Sequence, residues 1–175
     1  MILPVNQLGL TAAAVGNHDL DLGEERARHL VDQCNFPWIL SNVKMISGQA
    51  IAGSLDHIIV EHQGYKIGIL GLAEEGWVQT LSQYNAAELD FSDPVDCGDR
   101  LSEALKKEQG CHLVIGLTHM RQNNDRRLAR ECQHIDLFLG GHDHIYYIDK
   151  IGKNLVVKSG CEFRNLSLIH LDPSD

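Results

Sequence analysis

The order of apolar patterns along this 175-residue chain predicts an α/β layered domain with mixed sheets, two of them packed face to face. Three observations predict it. Helical and strand patterns alternate first, and antiparallel strands then close the chain. His112 to Thr118 is a near-continuous apolar run, the type of strand buried on both faces. Three histidine-bearing sites follow apolar runs directly, where ligands and catalysts collect in α/β folds.

Taken in order, Leu3 to Ala14 is a short apolar piece, with a helix end and turn at Leu8-Gly9-Leu10 and a strand from Ala12 to Val15. It runs straight into Gly16-Asn17-His18-Asp19-Leu20-Asp21. Leu22 to Cys34 is a helix, with Glu24 and Glu25 in the first turn where they complement the macrodipole. Asn35-Phe36-Pro37 stops it, and Trp38 to Val43 reads as a buried strand. Lys44 to Ser54 is loop. Leu55 to Val60 and Tyr65 to Leu72 form a hairpin around Glu61-His62-Gln63-Gly64. Within Ala73 to Asp90 a short helix is expected around Trp77 to Leu81.

Asp93-Pro94-Val95-Asp96 opens a helix with a capping carboxylate and proline at the first position. Leu101, Ala104 and Leu105 form its apolar stripe, and Gly110 ends it. The strand from His112 to Thr118 delivers His119, and Asn124 to Gln133 is an amphipathic helix. Ile135 to Leu139 is a buried strand end that opens into Gly140-Gly141-His142-Asp143-His144. Tyr146 to Ile151, Leu155 to Lys158 and Leu166 to Leu171 are expected to close the chain as three strands. No linker or repeat divides it, so residues 1–175 read as one domain.

Hydrophobic residues at 43% and charged residues at 22% are ordinary globular values. A formal charge of −9 without a basic run argues against binding a nucleic-acid backbone. The five cysteines are odd in number and never in a C-x-x-C pair, so they read as reduced thiols. No apolar segment approaches the ~18 to 20 residues of a membrane span. No signal peptide is visible, which favours the cytoplasm.

The chemistry-bearing residues are Asn17-His18-Asp19, His119 and His142-Asp143-His144. In an extended backbone, alternation puts His142 and His144 on one face. That spacing suits two ligands for one metal or one ligand for each of two neighbouring metals; the plainer alternative is a pair of surface loop histidines. Imidazole nitrogens with a carboxamide oxygen fit Zn, Mn, Fe or Ni better than Ca or Mg. Other residues have plainer readings. His29 is solvated surface, and His57, His62, His112, His134 and His170 are structural. Asp21 caps the following helix. Cys111 and Cys161 are small core residues. Arg121, Lys158 and Arg164 are either phosphate contacts or solvated side chains.

Gly16-Asn17-His18-Asp19, then Leu117-Thr118-His119, then Gly141-His142-Asp143-His144 resemble the ordered motifs of calcineurin-like metallophosphoesterases. The closer resemblance is to the 5′-nucleotidase branch. Gly16 to Asp21 with Gly23 is similar to its Gly-Asn-His-Glu/Asp-Phe-Asp-x-Gly signature, with Leu20 in place of Phe. Pro37 to Val43, Gly68 to Leu72 and Val157-Lys158-Ser159-Gly160 also fit. The resemblance implies an α/β/β/α sandwich and hydrolysis of a phosphate ester, of a nucleotide or another phosphorylated small molecule, at a dinuclear centre. By the same resemblance Asn17, His119 and His142 ligate one divalent metal and His144 the other. His18 stands beside the phosphoryl group as a cation, with Asp19 orienting its imidazole.

No Asp or His precedes His18. The family's earlier Asp-x-His and Gly-Asp motifs, which supply the remaining ligands and the bridging carboxylate, therefore have no counterpart here. The expectation is a chain cut short, lacking the opening strand–helix unit, with one metal held instead of two and a partner chain covering the exposed sheet. The alternative is a non-catalytic relative that binds at most one metal and acts through protein contacts.

Overall fold

The structure, a computed structural model, describes residues 2–81 and 86–172. Helix α1 (Ile2–Asn6) leads to β1 (Ala13–Ala14), a 3₁₀ turn at Asn17–Leu20, and α2 (Glu24–Val31). Strands β2 (Trp38–Ile39), β3 (Val43–Met45), β4 (His57–His62), β5 (Tyr65–Ala73) and β6 (Leu89–Phe91) follow. The second half is α3 (Pro94–Lys107), β7 (Leu113–Met120), α4 (Gln122–Glu131), β8 (Leu137–His142), β9 (Tyr146–Ile151) and β10 (Asn154–Ser159).

Six strands form one mixed sheet in the order β4-β5-β7-β8-β10-β9. Its four inner strands run parallel, and each edge is closed by an antiparallel hairpin partner. The β4–β5 turn is the expected hairpin: Gln63 and Gly64 both have positive φ, as a two-residue turn matching strand twist requires. Helices α3 and α4 lie on one face, where Leu72, Leu105, Leu128, Phe138 and Val156 are buried together. A second core around Val15, Leu20, Leu40, Ile51 and Trp77 joins α2 to β1 and β2.

Several expectations need correction. The strand expected over Trp38 to Val43 is two strands, because Ser41 and Asn42 turn their side chains onto β5 instead of into a ladder. Ser41 Oγ accepts the Gly71 N–H, and Asn42 exchanges hydrogen bonds with the Ala73 backbone at 2.9 Å in both directions. Gly71 is glycine for this reason, since a Cβ there would stand 2.5 Å from the Ile39 carbonyl oxygen.

Among the described residues the second sheet is represented only by the pairs β1–β2 and β3–β6. Strand β7 is accordingly buried on alternate residues and not on both faces. Its other face, with Ile67, Ile69, Leu117 and Leu139, lines an apolar groove of about 510 Å³. Leu166 to Leu171 form no strand, and Leu166 and Leu168 are exposed. Strand β10 is already paired on both sides by β8 and β9. Helix α2 is shorter than expected and leaves Leu22 exposed. Of the Ala73 to Asp90 stretch, residues 82–85 lie outside the described residues; a 3₁₀ helix spans Glu75–Thr80. All five cysteines are free thiols. Among the described residues no helix is long and apolar enough to cross a membrane.

The α3 cap is as expected. Asp93 accepts the N–H groups of Val95 and Asp96 and also binds Arg127 at 2.9 Å. Some desolvation opposes its charge, but these hydrogen bonds win and hold its carboxyl below the ordinary 3.8. A depressed carboxyl stabilises the fold above its unfolded pKa and loses that contribution as pH falls through the folded value. Asp93→Ala is therefore expected to lower stability by ~1 kcal/mol at neutral pH. Urea melts of the two proteins should converge at pH values below the depressed pKa.

Candidate metal and phosphate site

Gly16-Asn17-His18 leaves the carboxyl end of β1, His119 stands near the carboxyl end of β7, and His142 is the last residue of β8. The site thus sits where parallel strands end, as ligand sites of α/β folds do. His119 Nε2 lies 2.8 Å from Asn17 Oδ1 and 3.2 Å from His142 Nδ1. The two imidazoles meet edge to face, with centroids 4.9 Å apart. Gly16 makes room for this, because a Cβ there would fall 2.6 to 2.8 Å from three atoms of the His119 ring.

The carboxamide of Asn17 is oriented by its far side. Thr80 Oγ1 donates its hydrogen to the Trp77 carbonyl at 2.6 Å and so accepts from Asn17 Nδ2 at 3.0 Å. That leaves Asn17 Oδ1 facing His119. A carboxamide oxygen only accepts, so His119 Nε2 carries the proton between them. Asn17 Oδ1 and His142 Nδ1 both face that single proton; with the His119 proton on Nδ1 instead, three lone pairs would face one another, an arrangement only a cation satisfies.

Burial, aided by the positive fields of His142, His18, Lys158 and His144, pushes His119 down to about 4. Burial lowers His142 as well, against an opposing pull from Glu74. Both imidazoles are therefore neutral near pH 7, the form that ligates metals. Among the described residues no group of three or more His, Cys, Asp or Glu side chains is gathered for a metal. The set reaches three donors only through the carboxamide of Asn17, and it fits one borderline-hard divalent ion.

The other expected site residues are placed differently. His144 is exposed, and His142 and His144 have φ of 79° and 54°. They are not the extended pair that simple alternation implies, because the chain turns out of β8 at His142. His18 does not bond Asp19. Its Nδ1 is 2.9 Å from Asp21 Oδ2, while the Asp19 carboxylate accepts the Gly16 N–H at 2.8 Å. The cause is the 3₁₀ turn, in which residues three apart eclipse. Asp21 thus serves His18 and leaves the helix-cap position of α2 to Gly23.

Glu74 was not singled out from sequence. It is 3% exposed at the end of β5, accepts the Arg121 N–H at 2.9 Å and the Asn124 amide at 2.6 Å, and points Oε1 towards His142 Nε2 at 3.7 Å. Its position, the first acidic residue after a buried parallel strand, is the signal that could have found it. Arg121 remains 62% exposed at the mouth with Nη1 3.2 Å from Glu74. Arg164 is a surface pair with Glu162.

No family model matches the chain. It is 25% identical over 179 residues to the trifunctional nucleotide phosphoesterase protein YfkN of Bacillus subtilis, covering 84% of this chain and 12% of that protein. It is 29% identical over 168 residues to a 5′-nucleotidase of Vibrio cholerae, covering 89% of this chain and 30% of that one. Its homologues are 5′-nucleotidases and calcineurin-like phosphoesterases.

Solved structures agree on the fold of this nucleotidase relative. The calcineurin-like phosphoesterase YfkN of Bacillus subtilis superposes with a TM-score of 0.77 at 20% identity, over 91% of this chain and 57% of that one. The NAD nucleotidase of Haemophilus influenzae gives 0.72 at 24% identity, over 83% and 29%. The chain spans less than a third of the length of the curated relatives it matches.

Proposed function

We propose that this chain supplies the histidine-rich part of a phosphate-ester hydrolase site, acting with a divalent metal on a phosphorylated small molecule of the nucleotide class. The observation that carries this reading is the convergence on His119 Nε2 of Asn17 Oδ1 at 2.8 Å and His142 Nδ1 at 3.2 Å, from three strand ends. Asn17, His119 and His142 would hold the metal. When bound, it supplies positive charge to a phosphoryl oxygen, which an acidic chain otherwise lacks.

The chain's own residues do the rest. The Asp21 carboxylate can only accept, so His18 Nδ1 carries a proton and the ring presents Nε2 outward. His18 is 72% exposed, which leaves it open to substrate. As the imidazolium it balances phosphoryl charge and passes the Nε2 proton to the leaving oxygen. Asp21 orients that ring, and Glu74 offers an acceptor on the far side of His142, the outer partner that metal-ligating histidines ordinarily have.

Isothermal titration with Mn²⁺ and hydrolysis of p-nitrophenyl phosphate test the proposal. His119→Ala should weaken metal binding by more than the roughly 10–100-fold cost of losing an outer partner, while His29→Ala leaves it unchanged. Equal effects of the two substitutions would overturn the ligand assignment. One observation favours a non-catalytic relative instead, namely that no three His, Cys, Asp or Glu side chains are gathered for a metal among the described residues. Mn²⁺ binding without any His18-dependent turnover would establish that second reading.

A further inference from the structure

Lys158 is 1% exposed, in the middle of the protein beneath the Gly140–His144 turn. Its ammonium donates to the Met120 carbonyl at 2.6 Å and the Gly141 carbonyl at 2.8 Å, and meets Asp125 at 2.8 Å and Asp143 at 3.1 Å. Three ammonium hydrogens are thus shared among four protein acceptors. The two carbonyls are informative. Met120 directly follows His119, and Gly141 directly precedes His142.

The sheet alone does not account for how those histidines are held. The β7–β8 ladder ends with His119 opposite Gly141 and Met120 opposite His142. At its last residue and just past it the backbone takes positive φ at two non-glycine residues, His142 and His144. Such conformations persist only where the surroundings over-determine them. Lys158 grips this turn on both sides of His142, through the Gly141 carbonyl and the Asp143 carboxylate, and Asp143 also accepts the Gln122 N–H. Asp125 anchors the ammonium from α4 and is itself held by the Thr118 hydroxyl. Gly140 is the residue that lets the side chain through, since a Cβ there would lie 2.9 Å from Lys158 Cε.

We propose that Lys158 is a positioning residue, a buried cation that ties the ends of β7 and β8 together and so sets the His119–His142 pair in ligand geometry. The metal part of this inference rests on the function proposed above; the mechanical part does not. Lysine suits the task because one compact charge with rotatable donors can bind carbonyls and carboxylates in different directions.

The experiment compares Lys158→Met/Asp125→Asn, which removes the clamp together with the charge it would leave unpaired, with Val156→Ala, a buried apolar change in the same strand. Three readouts are taken: Mn²⁺ affinity, thermal melting, and amide exchange at residues 142–144 in metal-free protein. The double variant should bind Mn²⁺ about tenfold or more weakly, in the range seen when a supporting partner is lost, and exchange faster at 142–144. Val156→Ala should melt earlier yet keep the wild-type affinity.

Wild-type affinity and wild-type exchange in the double variant would overturn the proposal, as would an equal loss of affinity in Val156→Ala. If wild-type protein binds no Mn²⁺, the metal reading fails and the exchange measurement alone judges the clamp. Should the double variant not fold, Asp143→Asn keeps the buried Asp125 pair and loosens only the turn. Unchanged exchange at 142–144 in that variant would then refute the proposal.

Discussion

Asp125→Ala is expected to destabilise the fold by about 3–5 kcal/mol, the cost of leaving a buried charge without its partner. Asp125 is fully buried, ion-paired to Lys158 at 2.8 Å, and accepts from the Thr118 hydroxyl. Desolvation raises its pKa in spite of these partners, so burying this carboxyl carries a cost that only the complete network offsets. Removing it strands Lys158 with Asp143, which is 22% exposed, as its remaining counterion. Urea unfolding at neutral pH measures the loss. Arg164→Ala, which breaks the exposed pair with Glu162, serves as the contrast and should change stability by roughly 0–1 kcal/mol. Similar small values for both variants would show that the buried network is not a stabilising unit.

The difference between those two cations is the part of this protein that its sequence conceals. Lys158 and Arg164 read alike along the chain, each a basic residue near a strand end. One is buried under a turn and the other is solvated. What separates them is long-range: the Lys158 side chain finds its acceptors in β7, α4 and the β8 turn, 15 to 38 positions away. Glu74 is hidden in the same way, since its partners Arg121 and Asn124 come from the start of α4 and His142 from the end of β8.

Local signals, by contrast, are legible. Asp93-Pro94 caps α3, Gln63-Gly64 turns the β4–β5 hairpin, and Asn17, His119 and His142 converge because each follows an apolar run that ends at the same edge of the fold. The pairing of His18 lies between these extents. Adjacency in sequence favours Asp19, but the 3₁₀ turn rotates Asp19 back onto the Gly16 N–H and brings Asp21 beneath the imidazole. Strand expectations fail where a side chain replaces the ladder, as at Ser41-Asn42; Leu166 to Leu171 follow β10, which β8 and β9 already pair on both sides.

Gly16→Ala is expected to disable the proposed metal set while leaving the fold nearly intact. The added methyl would stand 2.6 Å from Cε1 and 2.8 Å from both nitrogens of His119, closer than any unstrained carbon contact. Gly16 has φ −112 and ψ 173, ordinary extended values that alanine adopts without strain. The conflict therefore falls on the ring and not on the backbone. A position 141 Cβ would already meet His119 Nδ1 at 3.4 Å, so the imidazole has little space on that side and must swing away from Asn17 and His142. Losing the 2.8 Å contact to Asn17 Oδ1 dissolves the three-donor arrangement. Calorimetry should find Mn²⁺ affinity reduced by about 100-fold, at the upper end of what a misplaced supporting residue costs. Overpacking should take only about 1–3 kcal/mol from stability. A Gly16→Ala protein that binds Mn²⁺ as the wild type does would show that His119, as placed against Gly16, is not a ligand.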